Sequence, residues 1–393
     1  MSRPQRQIVY FATAMSLVNL GDSLFYVIVP TYYTHLGLIP FQVGILLSVN
    51  RWVRLATNHL AEYGYRRYPS DLWLLGAFFT GAVVSTIYGL ATTFFLFLLA
   101  RIAWGIAYSF LRQAGVMHVV ACSAENALTE QMGYFTGINA LWRTSGLFLG
   151  GLCHDHFGFT MTFVGVGILS LLALPLNRIA RKQAAMPDRE ARAVKESGRN
   201  GALVCFGISM GLVGGGMIIS TLGLVLKTRV GESFHLAGFL VGVATLTGFV
   251  MAVRHLIDGV GGPVLGALVD RIGWRRSTAG LFLLGSILLL MTGLQENVVG
   301  LVVVIMLYFI CATALYTALY AQSGQNGPRS VAAFATAIDF GMSVGPLIGW
   351  GIAQLMLPLS TIFFTGSAVY AVGAVVAFKS LSRSSLPLSM GPR

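Results

Sequence analysis

The chain has 393 residues, of which 55% are hydrophobic and only 10% charged, and its mean hydropathy is +0.75. No water-soluble domain of this length keeps such a surface dissolved. The formal net charge of +12 falls in short polar stretches between apolar runs, which fits membrane topology better than nucleic-acid binding, so no nucleic-acid partner is expected.

A helix needs ~20 apolar residues to cross a hydrocarbon core of about 30 Å. Runs of that kind predict twelve transmembrane helices, an all-α membrane protein embedded in a lipid bilayer. In chain order they cover Ile8–Tyr33, Gln42–Ala61, Leu72–Thr92, Phe94–Gly115, Met132–Cys153, Thr160–Ile179, Ala202–Leu226, Leu236–Val269, Thr278–Gln295, Val298–Tyr320, Val331–Leu355 and Thr361–Leu381. The eighth is too long for one straight perpendicular span. With the amino terminus inside, nearly all Lys and Arg residues in the connecting segments face the cytoplasm, Lys227 and Arg229 excepted, so both termini are expected there. No cleavable signal is evident. Cys122, Cys153, Cys205 and Cys311 have no metal-ligand spacing and read as small packing residues. Neither cofactor nor metal is expected.

The longest polar stretch, "RIARKQAAMPDREARAVKESGRN" from Arg178 to Asn200, divides the chain. It predicts a six-helix bundle over 1–179, a cytoplasmic linker over 180–200, and a second six-helix bundle over 201–393 with a short cytoplasmic tail. The two parts echo each other. "GYRRYPSDLWLLG" follows the second span as "GWRRSTAGLFLLG" follows the eighth, and Gly146, Gly150 and Gly151 align with Gly341, Gly345 and Pro346. Paired halves are expected of transporters that rock around a midplane site.

"GALVDRIGWRR", Gly266 to Arg276, is similar to the cytoplasmic loop motif G-x-L-x-D-R-x-G-R-R of the major facilitator superfamily, and the resemblance covers essentially the whole chain. It implies that Asp270, Arg271, Arg275 and Arg276 tie helix ends together in one conformation. The first-half copy, "NHLAEYGYRR", offers Glu62, Arg66 and Arg67 without the usual glycine or aspartate. "FLLARIAWGIAYS" resembles the fourth-helix motif of proton-coupled members, which implies a coupling role for Arg101. "GINALWRTSGLFLGG" resembles the fifth-helix motif of exporters, with Gly151 in place of its proline. The same glycines can serve close helix packing alone. By this resemblance the protein resides in a bacterial cytoplasmic (inner) membrane, as a monomer.

Asp22, Arg51, Arg54, Arg101, Arg143, Arg254, Asp258 and Asp339 fall at membrane depth. A central Arg or Asp costs roughly 2.5 to 3.5 kcal/mol on insertion scales, so each must face a wet cavity or a partner. In "SVNRWVRLATNHLAE", Arg51 and Arg54 share a helix face that continues to Asn58. Arg254 and Asp258 have the spacing of a pair along one helix. Arg143 and Asp339 are close to equivalent when the glycine motifs are aligned, and Asp22 is expected to meet Arg143 if the first and fifth helices are neighbours. Five arginines against three aspartates favour a small anionic or zwitterionic cargo, bound by Arg51, Arg54, Arg143, Asn58 and Arg254. Asp22 and Asp339, with Arg101, are the expected proton-coupling residues. Asn19 and Ser23 beside Asp22 keep Na+ open. "HDH", His154 to His156, reads as external solvated polar residues and not as a metal site.

The expected function is secondary active transport, by proton-driven export of a small organic compound through alternating access. An importer of an organic anion or sugar, coupled to protons or sodium, fits the same residues. An enzyme acting on lipids is disfavoured, since no nucleotide loop, metal cluster or paired catalytic carboxylates appear. A non-transporting receptor is disfavoured by the intramembrane charges of both halves.

Overall fold

A computed structural model describes the backbone of residues 3–67, 71–123, 128–181, 201–236 and 239–383. The described residues are 91% helix. Lipid offers no partner to a peptide group, so each spanning segment must satisfy its own backbone, and the helix does this within one strand of chain. Among the described residues, ten helical stretches are long and apolar enough to cross a membrane. The expected 180–200 linker lies outside the described residues beyond Arg181.

The first elements are α1 (Arg3–Tyr32), α2 (Pro40–Arg67), α3 (Asp71–Leu90) and α4 (Phe94–Cys122). Thr93 caps α4, its hydroxyl accepting from Leu96 N–H at 3.4 Å. Helix α2 is absent from the ten apolar stretches, because Arg51, Arg54, Glu62, Arg66 and Arg67 all fall on it. Helix α5 (Leu128–Ser170) is a 43-residue stretch broken at Gly158, whose φ of 79° and ψ of 177° no side-chain-bearing residue adopts without strain. That break separates the expected fifth and sixth spans. The short α6 (Ala173–Arg181) follows.

Next comes one continuous helical rod of α7 (Gly201–Met210), a π-helical turn over Gly211–Ile218 and α8 (Ile219–Val230). The expected eighth span needs correction at its start. Residues Ser233–Leu236 (β1) and Phe239–Gly242 (β2) form an antiparallel hairpin, and the helix begins only with α9 (Val243–Leu256). Gly231, with φ 76°, turns the chain out of α8, and Val243 N–H bonds the Glu232 carbonyl at 2.9 Å. The rod continues through a π-helical turn over Ile257–Gly261 into α10 (Gly262–Ile272). Helices α11 (Trp274–Leu294), α12 (Val298–Gln325), α13 (Pro328–Gln354) and α14 (Ser360–Arg383) complete the chain.

Helix α1 packs on α5, and α13 packs on α7 and its π turn, so the aligned glycines do matching work. Gly146 and Gly150 receive Leu20 and Leu24 of α1, whereas Gly341 and Gly345 meet backbone atoms of Ile208 and Leu212. A Cβ on Gly345 would stand 2.5 Å from the Cα of Gly216, so these two backbones touch. The N-terminal and C-terminal helices join chiefly through α5 on α9 and α2 on α13, with α1 on α8. One end of this joint is sealed. There the indole N–H of buried Trp350 donates to the Ser220 carbonyl at 3.1 Å, Tyr33 stands edge-on to Trp350, and Phe41 N–H donates to Gln354 Oε1 at 3.2 Å.

Candidate functional site: a charged cavity between the helix sets

Away from the seal, a cavity of about 890 Å³ lies between the N-terminal and C-terminal helices. Its walls carry Asp22, Arg51, Arg54 and Arg143 from one side and Arg254, His255, Asp258 and Asp339 from the other. Tyr26, Trp104 and Tyr108 add aromatic wall, as do Phe309, Tyr316 and Tyr370. The lining reaches Gly133 near the start of α5 and Thr317 towards the end of α12, both far along the chain from the sealed ends of those rods.

The first-half carboxylate is not where the sequence placed it. Asp22 pairs with Arg101, and Arg143 has no ion pair or hydrogen bond among the described residues. Leu20 and Leu24 already occupy the face of α1 that meets α5. Asp22 is two residues from each, about 200° round the helix, and so turns towards α2 and α4. Arg101 is fully buried behind it. Its Nε donates to the Leu46 carbonyl at 2.8 Å, its Nη2 lies 3.4 Å from the Tyr26 hydroxyl, and its guanidinium sits 4.5 Å from the Phe25 ring centroid. Asn50 adds a long contact to Asp22 at 3.5 Å.

Arg51 and Arg54 do share a face and both line the cavity, as their spacing predicts. Neither is well satisfied. Arg51 donates to the Tyr26 hydroxyl at 3.4 Å and to the Met342 thioether at 3.1 Å, a weak acceptor. Arg54 lies 4.7 Å over the Tyr108 ring with its Nη2 at 3.8 Å from Asp339, and its buried Nε has no partner. Asn58, which the same face was expected to bring in, is not among the residues that line this cavity. There α2 closes onto α4, with Thr57 and Ser109 hydroxyls 2.8 Å apart.

On the opposite wall, Arg254 pairs with Asp258 at 3.4 Å along the helix, as expected. Thr313 donates to the same carboxylate at 2.6 Å, and His255 Nδ1 lies 3.8 Å from it. Asp339 is shared by Arg54 and by Arg112 of α4, the latter at 3.6 Å. Each cavity carboxylate thus has an arginine of its own, while Arg51 and Arg143 have no carboxylate within ion-pair distance among the described residues. The site carries surplus positive charge.

Of the loop-motif residues, Arg271 and Arg276 are exposed, and the side chains of Asp270, Arg275 and Glu62 lie outside the described residues. Arg112, His255 and Met342 escaped the sequence reading. Arg112 lies about three turns beyond Arg101 on α4, so shared helical phase was an available signal for it. His255 and Met342 carried none beyond adjacency to residues already singled out.

The fold and this interior define an integral membrane carrier, and the family model of the Major Facilitator Superfamily matches residues 11–339. The chain belongs to that superfamily. Two proteins named multidrug resistance protein MdtG, from Dickeya zeae and from Rahnella, are each 24% identical to it, over 88% and 93% of this chain and 85% and 91% of theirs. An uncharacterized transporter from Methanocaldococcus jannaschii is 25% identical over 42% of either chain, so this match spans less than half of that relative. Among solved structures, an inward-facing bacterial homologue of the human lysosomal transporter Spinster superposes with a TM-score of 0.78 at 14% identity, covering both chains completely. The nucleoside transporter NupG gives 0.73 at 11% identity, over 97% of this chain and 99% of that one. The fold and relatives are those of transporters and not of enzymes.

Proposed function

We propose that the protein exports a small anionic or zwitterionic organic compound in exchange for protons, by alternating access of the central cavity. The observation that carries this reading is the unsatisfied state of Arg51, Arg54 and Arg143. Among the described residues Arg51 and Arg143 have no carboxylate within ion-pair distance and Arg54 has only the shared Asp339 at 3.8 Å, so these partly buried guanidinium groups keep N–H donors for an anion, and their planar forks suit carboxylate, phosphate or sulfonate groups. The nearly full-length likeness to MdtG proteins, named for multidrug resistance, supports the outward direction.

In this reading twelve spans form two six-helix bundles, residues 1–179 and 201–393, with both termini in the cytoplasm of a bacterial cell, and the monomer works in its inner membrane. The sealed end then faces outward and the cavity opens inward. Asp22 and Asp339 exchange protons, Arg101 holds Asp22 in position, Arg254 completes the anion site, and the loop residues Glu62, Asp270, Arg271, Arg275 and Arg276 close the inner side in the alternate state. A second reading, sodium in place of the proton, is favoured by Asn19 and Ser23 lining the cavity beside Asp22.

The test is equilibrium binding and vesicle flux with a panel of organic anions and their neutral analogues, under imposed proton or sodium gradients. The Arg51→Gln, Arg54→Gln double variant should weaken anion binding by about 100- to 10,000-fold, since each of the two charge-assisted bonds contributes about 1.5–3 kcal/mol, and should leave neutral analogues much less affected. A folded double variant with unchanged affinity for every anion sinks the assignment. Flux in right-side-out against inverted vesicles fixes the direction.

A further inference from the structure

We propose that Asp155 is the gate residue of the sealed end: its carboxylate caps the first turn of α9 from across the joint, and releasing that cap is a required step in opening the cavity to this side. This rests on the alternating-access reading above.

The "HDH" run holds three side chains that point three ways, as successive residues on a helix must. His156 turns back to the Leu152 carbonyl at 3.0 Å, and His154 is buried against the Tyr32 ring at 4.4 Å. Asp155 reaches out of α5 towards α9. Its Oδ2 accepts from the backbone N–H of Thr245 at 2.8 Å and from the Thr245 hydroxyl at 2.5 Å, and its Oδ1 accepts from the Tyr32 hydroxyl at 3.2 Å.

Thr245 is the third residue of α9, where a helix has N–H groups without internal partners. A serine, threonine, asparagine or aspartate immediately before the helix usually accepts from them. Here that position is Gly242, which has no side chain to offer. The reason is spatial: a Cβ on Gly242 would stand 2.1 Å from Asp155 Oδ2. The glycine leaves the helix start bare so that a carboxylate from the other helix set can seat there, and the positive end of the helix dipole favours its charge.

The surroundings support a joint that parts as a unit. One turn before Asp155, a Cβ on Gly151 would lie 2.4 Å from the Ala244 carbonyl. Lys227 of α8 stands 4.9 Å over the Tyr32 ring and bonds Glu232 at 3.2 Å, which in turn pairs with His35 of the α1–α2 connection at 3.3 Å. Opening this end separates α5 from α9, so Asp155 and the α9 amides must part and hydrate separately.

The test uses the full chain in lipid nanodiscs with its four cysteines replaced and spin labels at Phe157→Cys and Met356→Cys, exposed positions at the sealed end. Asp155→Ala removes the cap, Gly242→Ala displaces it sterically, and Thr245→Val removes one donor while leaving the fold undisturbed. A helix cap loses enough stabilisation on truncation for each variant to raise the separated population roughly 2- to 30-fold, with Thr245→Val at the low end. Asp155→Glu should fall between wild type and Asp155→Ala. If wild type samples both distances with an anionic cargo or a gradient present, and the folded variants leave the populations unchanged, the Asp155 assignment is wrong and alternating access survives. If wild type holds a single short distance under every condition, both ideas fall together.

Discussion

Asp22 meets the cavity with its carboxylate already gripped by Arg101, which has no exposed surface and also bonds the Leu46 carbonyl at 2.8 Å. The pair joins α1, α2 and α4 at one point. Removing one partner of a buried pair strands the other, at a cost of about 3–5 kcal/mol. We therefore expect Arg101→Gln to lower the thermal midpoint and the yield of monodisperse protein sharply. Adding Asp22→Asn should recover part of the loss. A double variant no more stable than Arg101→Gln alone would show that the two residues act independently.

Asp339 joins the helix sets from the other side of the cavity, between Arg54 and Arg112. If Asp22 or Asp339 carries the proton, Asp22→Asn or Asp339→Asn should abolish gradient-driven accumulation while exchange of labelled for unlabelled cargo continues. Full proton-driven transport in both variants would move coupling to other residues.

The backbone contact between Gly345 and the π turn gives a stability prediction with an internal control. A Cβ at Gly345 would lie 2.3 Å from the Leu212 carbonyl oxygen, whereas one at Gly280 would meet nothing within 4 Å. Gly345→Ala should destabilise by roughly 1–3 kcal/mol, the usual cost of overpacking, and Gly280→Ala should be near neutral or better, since alanine is the stronger helix former. Equal unfolding curves for the two variants would refute the contact.

The loop motif yields a split between binding and flux. If Asp270 holds one conformation together without touching the cargo, Asp270→Asn should lose transport while retaining cargo affinity. Calorimetric binding beside vesicle uptake separates these quantities, and unimpaired uptake would remove Asp270 from the gate.

Helical class, family and most cavity residues were readable from the chain because buried charge is rare in a membrane span and each instance needs an explanation. Arg51, Arg54, Arg143, Arg254, Asp22 and Asp339 all reach the cavity. Partner choice was harder, because it depends on how each helix is rotated about its axis. Asp22 was expected opposite Arg143, and the two leucines that turn it away are ordinary apolar residues in the same run. The strand Phe239–Gly242 and the last residue of its partner strand, Leu236, were read as the start of a helix, since hydropathy does not distinguish an apolar strand from an apolar helix of similar length. Asp155 was hidden for another reason: between two histidines near the end of a span it resembled solvated loop chemistry, and its partner lies 90 residues further on.

The polarity of α2 has a consequence for how the protein is made. By composition this helix is not among the described stretches apolar enough to cross a membrane, and a central arginine adds roughly 2.5–3.5 kcal/mol to the cost of insertion. The Asp339 and Met342 contacts of its arginines sit on α13, Met342 lying 291 residues beyond Arg51, so they leave the ribosome long after α2. Until α13 emerges the arginines of α2 must be sheltered by other means, by Tyr26 and Tyr108, by water, or by the insertion machinery itself. A nascent chain arrested before α13 should consequently hold α2 loosely and be cleared rapidly by membrane proteases, whereas arrest after α13 should leave it resistant, a difference that pulse-chase labelling of the two truncations would measure.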